Sequence, residues 1–161
     1  MTCRERLESY LRENGVAHQS QHHPTAYTAQ AVAATEHVSG NLLAKVVMVI
    51  ADGRLAMLVV DAPHNVNFAK AATALGAAEV RLAHEDEFAE SFPDCEVGAM
   101  PPFGNLFDLP TYVDRGLAEE ETIYFQAGTH TDTMSIAYAD FARLVKPKVA
   151  DLTAERAAAR S

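Results

Sequence analysis

Two apolar runs flank Asp52-Gly53 in NLLAKVVMVIADGRLAMLVVDA, residues 41–62. An Asp-Gly pair between two such runs is the signature of a two-residue type I′ hairpin. Counting outward from the turn sets Ala51 opposite Arg54, Val49 opposite Ala56, Val47 opposite Leu58 and Lys45 opposite Val60. Both runs are nearly apolar on both faces. Strands of that kind sit centrally in a sheet and are covered on both sides. The chain must therefore build layers around this hairpin.

The flanking segments supply the layers. Residues 2–14 carry Leu7, Tyr10 and Leu11 at helical spacing, and Gly15 ends the pattern. VAHQSQHH alternates loosely as a short strand running into Pro24, and TAQAVAATE reads as a helix with Thr28 at its N-cap. NVNFAKAATALG is a helix capped by Asn65 or Asn67 and closed by Gly76. AEVRLA is a strand and HEDEFAESF a short acidic helix. PTYVD, ETIYFQAG and TMSIAYA are strands, DFARLV is a helix capped by Asp140, and LTAERAAARS reads as a frayed helical tail. Helices mixed with hairpins give an α/β (α+β) single domain around a mixed sheet. A length of 161 residues suits one domain with a real core. The expected division is a folded domain over residues 1–150 and a tail over 151–161.

Composition narrows the function classes. A formal net charge of −9 argues against sequence-independent binding to a nucleic-acid backbone, DNA included. No apolar run reaches the ~20 residues needed to span a bilayer, and the first residues lack the apolar core of a secretory peptide. Cys3 and Cys95 are far apart and make no CxxC, so no disulfide framework is expected, and Cys95 reads as a buried structural cysteine. A reducing cytoplasm is the simplest location.

Two features carry chemistry. Lys45 shares strand parity with Leu43, Val47 and Val49. A lysine on an apolar strand face is costly unless its ammonium finds a partner or water. It is either a strand-end lysine that reaches solvent or an anion binder at the mouth of a cavity. The second feature is EVGAMPPFGN, residues 96–105, too broken for a helix and too apolar for an ordinary surface loop. Pro101 and Pro102 have no N–H, so the donors it can aim are those of Gly98, Ala99, Met100, Phe103 and Gly104. Such a loop is either a stiff turn with Met100 and Phe103 plugging the core, which the pattern by itself favours, or a rigid set of donors for a developing oxyanion. One of its X-Pro bonds could be cis.

The remaining inventory is sparse. His18, His22, His23, His37, His64, His84 and His130 form no HxH or HExxH and have no nearby cysteine, so no metal site and no cofactor are expected. His130, in AGTHTDT, is a turn residue or a wall of a pocket. No GxSxG elbow, Cys-His pattern, P-loop or dinucleotide fingerprint is present.

LLAKVVMV, GAMPPFG and ETIYFQAGTHTDTMSIAYADFARL, in that order, resemble the YbaK/prolyl-tRNA-editing-domain family of aminoacyl-tRNA deacylases over roughly residues 5–147. The resemblance implies a mixed, barrel-like sheet flanked by helices and trans-editing of mischarged tRNA. It matches the family's strand lysine to Lys45 and its GxxxP loop to Gly98–Pro102. Gly128-Thr129-His130 is similar to its late glycine-histidine turn. Lys45 would then hold the terminal nucleotide and Gly98 would aim the loop's donors. Ala99, Met100, Pro101, Pro102, Phe103 and His130 would shape the substrate pocket. The implied partners are the aminoacyl-tRNA acceptor end and a synthetase. Two other readings stay open: a non-catalytic module binding an aminoacyl group or nucleotide, and a synthetase-associated regulatory protein.

Overall fold

The computed structural model describes residues 2–22 and 43–154. Helix α1 spans Cys3–Glu13 and starts with a capping box, in which Thr2 accepts from the Glu5 amide and Glu5 accepts from the Thr2 amide. Its buried stripe is Cys3, Leu7 and Leu11. Strand β1, His18–His22, follows. The expected helix at Thr28 lies outside the described residues.

Strands β2 (Ala44–Ala51) and β3 (Arg54–Asp61) form the hairpin in the register counted from the sequence, Lys45 opposite Val60 included. Asp52 has φ 49° and Gly53 φ 84°, the two positive values a type I′ turn requires. Helix α2 covers Phe68–Leu75, with Asn67 as its cap and Gly76 at its end. Strand β4 (Val80–Leu82) and helix α3 (Glu85–Phe88) come next, and α3 continues as a 3-10 turn over Ala89–Ser91. After the proline loop come a 3-10 turn at Gly104–Phe107, β5 (Thr111–Asp114) and a one-turn helix α4 (Arg115–Ala118). Strands β6 (Thr122–Gln126) and β7 (Asp132–Ala137), helix α5 (Tyr138–Val145) and β8 (Lys148–Ala150) complete the order.

The strands make two sheets, β4-β2-β3-β5-β8 and β1-β7-β6. The larger is mixed, because β3-β5 and β5-β8 run parallel while the other pairs are antiparallel. A bridge between Leu43 and Tyr124 touches the sheets together just before β2 begins. The barrel-like sheet is thus an expectation the fold meets only in part: two sheets meet at a corner, and no closed barrel forms among the described residues. One apolar cluster, holding Leu7, Leu11, Met57, Phe103, Phe125 and Phe141, fills the space between the sheets and α1. A second lies on the other face of the large sheet, where Val49, Leu58 and Val60 meet Ala71 of α2 and Leu152.

Three expectations are corrected. Helix α5 begins at Tyr138, its N-cap is Ala137 without a side-chain cap, and Asp140 lies in its first turn, where a carboxylate favours the helix dipole instead. The helix starts early because β7 runs straight into it. Residues 151–154 are not helical: Thr153 bridges Val66, and Leu152 is fully buried with its amide on Asp114. Cys3 and Cys95 are bonded to each other across 92 residues of sequence. Core packing brings the start of α1 beside the start of the proline loop, a proximity no local spacing reveals. No helix among the described residues is long and apolar enough to cross a membrane.

Candidate functional site

The proline loop is built as a clamp. Its entry pairs with the turn between β6 and β7: the Glu96 amide donates to the Gly128 carbonyl at 2.8 Å, and the Gly128 amide donates to the Ala99 carbonyl at 2.9 Å. The side chains repeat the link. Glu96 Oε1 accepts from the His130 amide at 2.9 Å, and His130 Nε2 lies 2.9 Å from the Val97 carbonyl. A carbonyl only accepts, so Nε2 carries the proton and Nδ1 is left to accept from Gln126 Nε2 at 3.5 Å. His130 is buried at 8 % exposure, with Cε1 3.4 Å from where a Cβ on Gly98 would stand. Gly98 has φ +87°.

Helix α1 braces this clamp from below. Cys3 is bonded to Cys95, and its amide donates to the Asp94 carbonyl at 3.3 Å. Arg6 donates to the Leu106 carbonyl at 2.5 Å, and its guanidinium sits 5.0 Å from the Phe107 ring centroid. Tyr10 meets the Phe103 ring edge-on at 6.3 Å and accepts from Asn105. Gly128 lies so close that a Cβ there would stand 2.7 Å from Cys3 Sγ, and its φ of +97° also demands glycine.

Asp132 anchors the far side of the turn. Its carboxylate accepts from Thr129 at 2.5 Å, from His22 Nδ1 at 3.1 Å and from Arg4 at 3.3 Å. Burial pushes its carboxyl up, but the hydrogen bonds from Thr129 and His22 and the charge of Arg4 outweigh that and hold it below the usual range.

Lys45 sits half-buried on β2. Burial pushes its ammonium down, and the charge of Asp61 pulls the other way. Its Nζ has no hydrogen bond or ion pair among the described residues. Asp61 ends β3 and is buried, with Oδ2 2.5 Å from His64 Nδ1. Asp61 Oδ1 and His64 Nδ1 make no hydrogen bond among the described residues. The polar end of the hairpin therefore holds one cation and one buried carboxylate with spare capacity.

The structure gathers Gly98, Ala99 and His130 into one hydrogen-bonded unit. No hydrogen bond or ion pair among the described residues links Lys45 to it. By strand parity Lys45 shares a face with Val47 and Val49 of the second cluster, whereas Met100 and Phe103 belong to the first. Ala99, Met100, Pro101, Pro102 and Phe103 are all buried. Phe103 packs on Phe125 and Phe141 at 5.5 and 5.7 Å. Met100 Sδ accepts from the Gly98 amide at 3.2 Å, and the Ala99 amide donates to the Glu96 carbonyl at 3.0 Å. Two of the loop's donors are thus used within it, while the Met100 and Phe103 amides have no hydrogen bond to another described residue. No peptide bond among the described residues is cis. Among them no three His, Cys, Asp or Glu side chains are grouped to hold a metal ion.

Glu96, Gln126, Asp132, Arg4 and Asp61 are the polar residues that reading the sequence missed. Only Asp61 left a local signal, as a carboxylate closing an apolar strand. The others act across the chain.

The chain is a small α/β domain with a clamped backbone loop and a half-buried strand lysine. Residues 23–144 match the model of the aminoacyl-tRNA editing domain, and the chain belongs to that YbaK-like family. Editing of mischarged tRNA is the activity this membership supports. Among solved structures, one described as a candidate trans-editing enzyme for prolyl-tRNA synthetase superposes with a TM-score of 0.81 at 20% identity, over 96% of this chain and 99% of that one. Hypothetical protein APE2540 gives 0.82 at 21% identity, over 92% and 99%. A Marinobacter aquaeolei VT8 protein described as a candidate signal transduction protein gives 0.71 at 16% identity, where 92% of this chain matches 30% of that one. At these identities the likenesses establish the fold.

Proposed function

We propose that this protein hydrolyses, in trans, the ester that joins a wrong amino acid to the terminal ribose of a tRNA. The observation that carries the reading is the Gly98–Pro102 loop, fixed from four sides by Glu96, Gly128, His130 and α1, in a chain of the editing family. Preorganised amides stabilise an oxyanion because they need no reorientation as charge develops. Water adds to the ester carbonyl, the carbonyl electrons move to oxygen, and the tetrahedral adduct collapses by expelling the ribose oxygen, which takes up a proton. An ester is already activated, so no enzymic nucleophile is needed, and a neighbouring ribose hydroxyl can help orient the water.

In this reading Lys45 holds a phosphate or ribose oxygen of the terminal nucleotide, and no ion pair among the described residues competes for its ammonium. The Gly98 conformation aims the loop, and the Met100 and Phe103 amides are donors with no hydrogen bond to another described residue. Ala99, Pro101, Pro102 and Phe103 act from inside the core, as the rigid back of the pocket. His130 holds the loop through Val97. The likeness to the candidate editing enzyme for prolyl-tRNA synthetase makes mischarged tRNA for proline the first substrate to try, and the alanyl and cysteinyl forms are included in the panel. Discrimination by one methylene is worth only ~1–3 kcal/mol, which is why a second pocket that hydrolyses what fits is useful.

The test is a deacylation assay over correctly and incorrectly charged tRNAs, with wild type, Lys45→Ala and an uncatalysed control. Hydrolysis of a few mischarged species, lost in the variant, is the expected result. Background rates across the panel would favour a non-catalytic binding module, and unchanged hydrolysis by Lys45→Ala would remove the lysine from the mechanism.

A further inference from the structure

We infer that Cys3–Cys95 is a reversible redox modification site, reduced by a dithiol, whose state sets the geometry of the proline loop. The pair is placed to do this. Cys95 immediately precedes Glu96, the residue that holds the Gly128–His130 turn through both its amide and its carboxylate. Cys3 is the first residue of α1, and its Sγ lies against the one side of Gly128 where no added atom fits. The bond therefore joins three parts of the clamp at one point: the helix, the loop entry and the turn.

The two cysteines differ in exposure. Cys3 is 2% exposed, whereas Cys95 is half-buried. A thiolate of the dithiol attacks Cys95 Sγ, and Cys3 departs as a thiolate at the N-terminus of α1, where the helix amides favour negative charge. The second thiol of the reductant then attacks the mixed disulfide at its own sulfur, Cys95 leaves as a thiolate, and the reductant closes its own disulfide. The reductant's two protons end on Cys3 and Cys95, and it gives up two electrons. Oxidation by a disulfide of the same class reverses each step.

Two thiols need more room than one bridge. Cys3 cannot yield toward the turn, because Gly128 already closes that side. The loop entry is the part free to move, and with it go the Glu96 bonds to Gly128 and His130. Reduction thus loosens the amides that the bond had held in place.

The dependence on activity rests on the editing reading, so the test has two readouts. Wild type is equilibrated with oxidised glutathione or with reduced thioredoxin, and Cys3→Ser and Cys95→Ser serve as forms that cannot close. Mass spectrometry counts thiols, and hydrogen exchange follows the amides of Glu96, Ala99, Gly128 and His130. Complete bond formation under oxidised glutathione, its opening by thioredoxin, about tenfold faster exchange at these amides on opening and a severalfold drop in deacylation are expected. Free thiols persisting under oxidised glutathione, a bond that thioredoxin does not open, or identical exchange in both states would overturn the site. Altered exchange with equal deacylation would overturn its control of activity. Altered exchange with no deacylation in either state leaves the redox site standing and removes the editing reading instead.

Discussion

Lys45 is kept where it is at a cost. Burial lowers its affinity for the proton below that of a free lysine, and Asp61 only partly restores it. The unfolded chain therefore binds that proton more tightly than the folded one, so this residue's cost to stability is full at neutral pH, is relieved as pH rises through the lowered folded value, and is gone once the unfolded ammonium has also titrated. Lys45→Met should leave the melting temperature at neutral pH unchanged or raised. Loss of one charged hydrogen bond should cut deacylation roughly 10- to 150-fold. A variant that both unfolds early and loses activity would mark the lysine as structural. Asp132 behaves oppositely. Its folded carboxyl is held below the unfolded value, so its stabilisation is present above about pH 4 and lost as pH falls through the folded value. Asp132→Asn should therefore cost about 1–2 kcal/mol at pH 7 and much less near pH 2, as read from urea titrations at both pH values. Equal cost at the two would show that shape, not charge, is what the carboxylate supplies.

At the scale of elements, the hairpin was legible because everything that sets it is local. Two residues choose the turn, the turn chooses the register, and eight strand positions on each side follow. Gly53→Ala tests that logic cleanly: a Cβ there meets nothing within 4 Å, so only the φ of +84° is strained. Stability should fall by about 1–2 kcal/mol, with deacylation unchanged. The order of Lys45, the proline loop and the glycine-histidine turn was legible as a family pattern, but the contacts that lock the loop were not. Glu96 meets His130 across 34 residues, Arg4 meets Asp132 across 128, and Cys3 meets Cys95 across 92. None of these pairs leaves a periodic or turn signal, and each needs the fold first. The last of them closes a loop long enough that a chain-entropy estimate gives about 4–5 kcal/mol of stabilisation in the oxidised form. Cys3→Ser should accordingly lower the melting temperature by about 10 °C relative to oxidised wild type and leave it near that of reduced wild type. A much smaller shift would mean that the unfolded chain is already compact around the pair.

For the molecule as a whole, charge decides how much of a tRNA it can hold. The net charge is −9, and much of the cationic surface is already committed. Arg4 and Arg81 face Asp132 and Glu87, Lys70 and Arg115 share Asp151, and Arg143 faces Asp140. Lys45 has no such partner among the described residues, and it lies at the end of the central hairpin rather than on a broad basic face. A domain with this distribution can grip one or two phosphates beside the ester but has little with which to follow the acceptor helix. Each phosphate neutralised on a single-stranded end contributes about −0.7 to the slope of log affinity against log salt, so the expected slope is roughly −1.5 or shallower. Binding of a non-hydrolysable aminoacyl end, titrated over a range of salt, measures it directly. The same reasoning expects full-length tRNA and a minihelix with the same acceptor end to be deacylated with kcat/KM values within about threefold. A steep slope with a strong preference for full-length tRNA would instead show that the protein neutralises more phosphates than this charge distribution allows, and would overturn the acceptor-end reading.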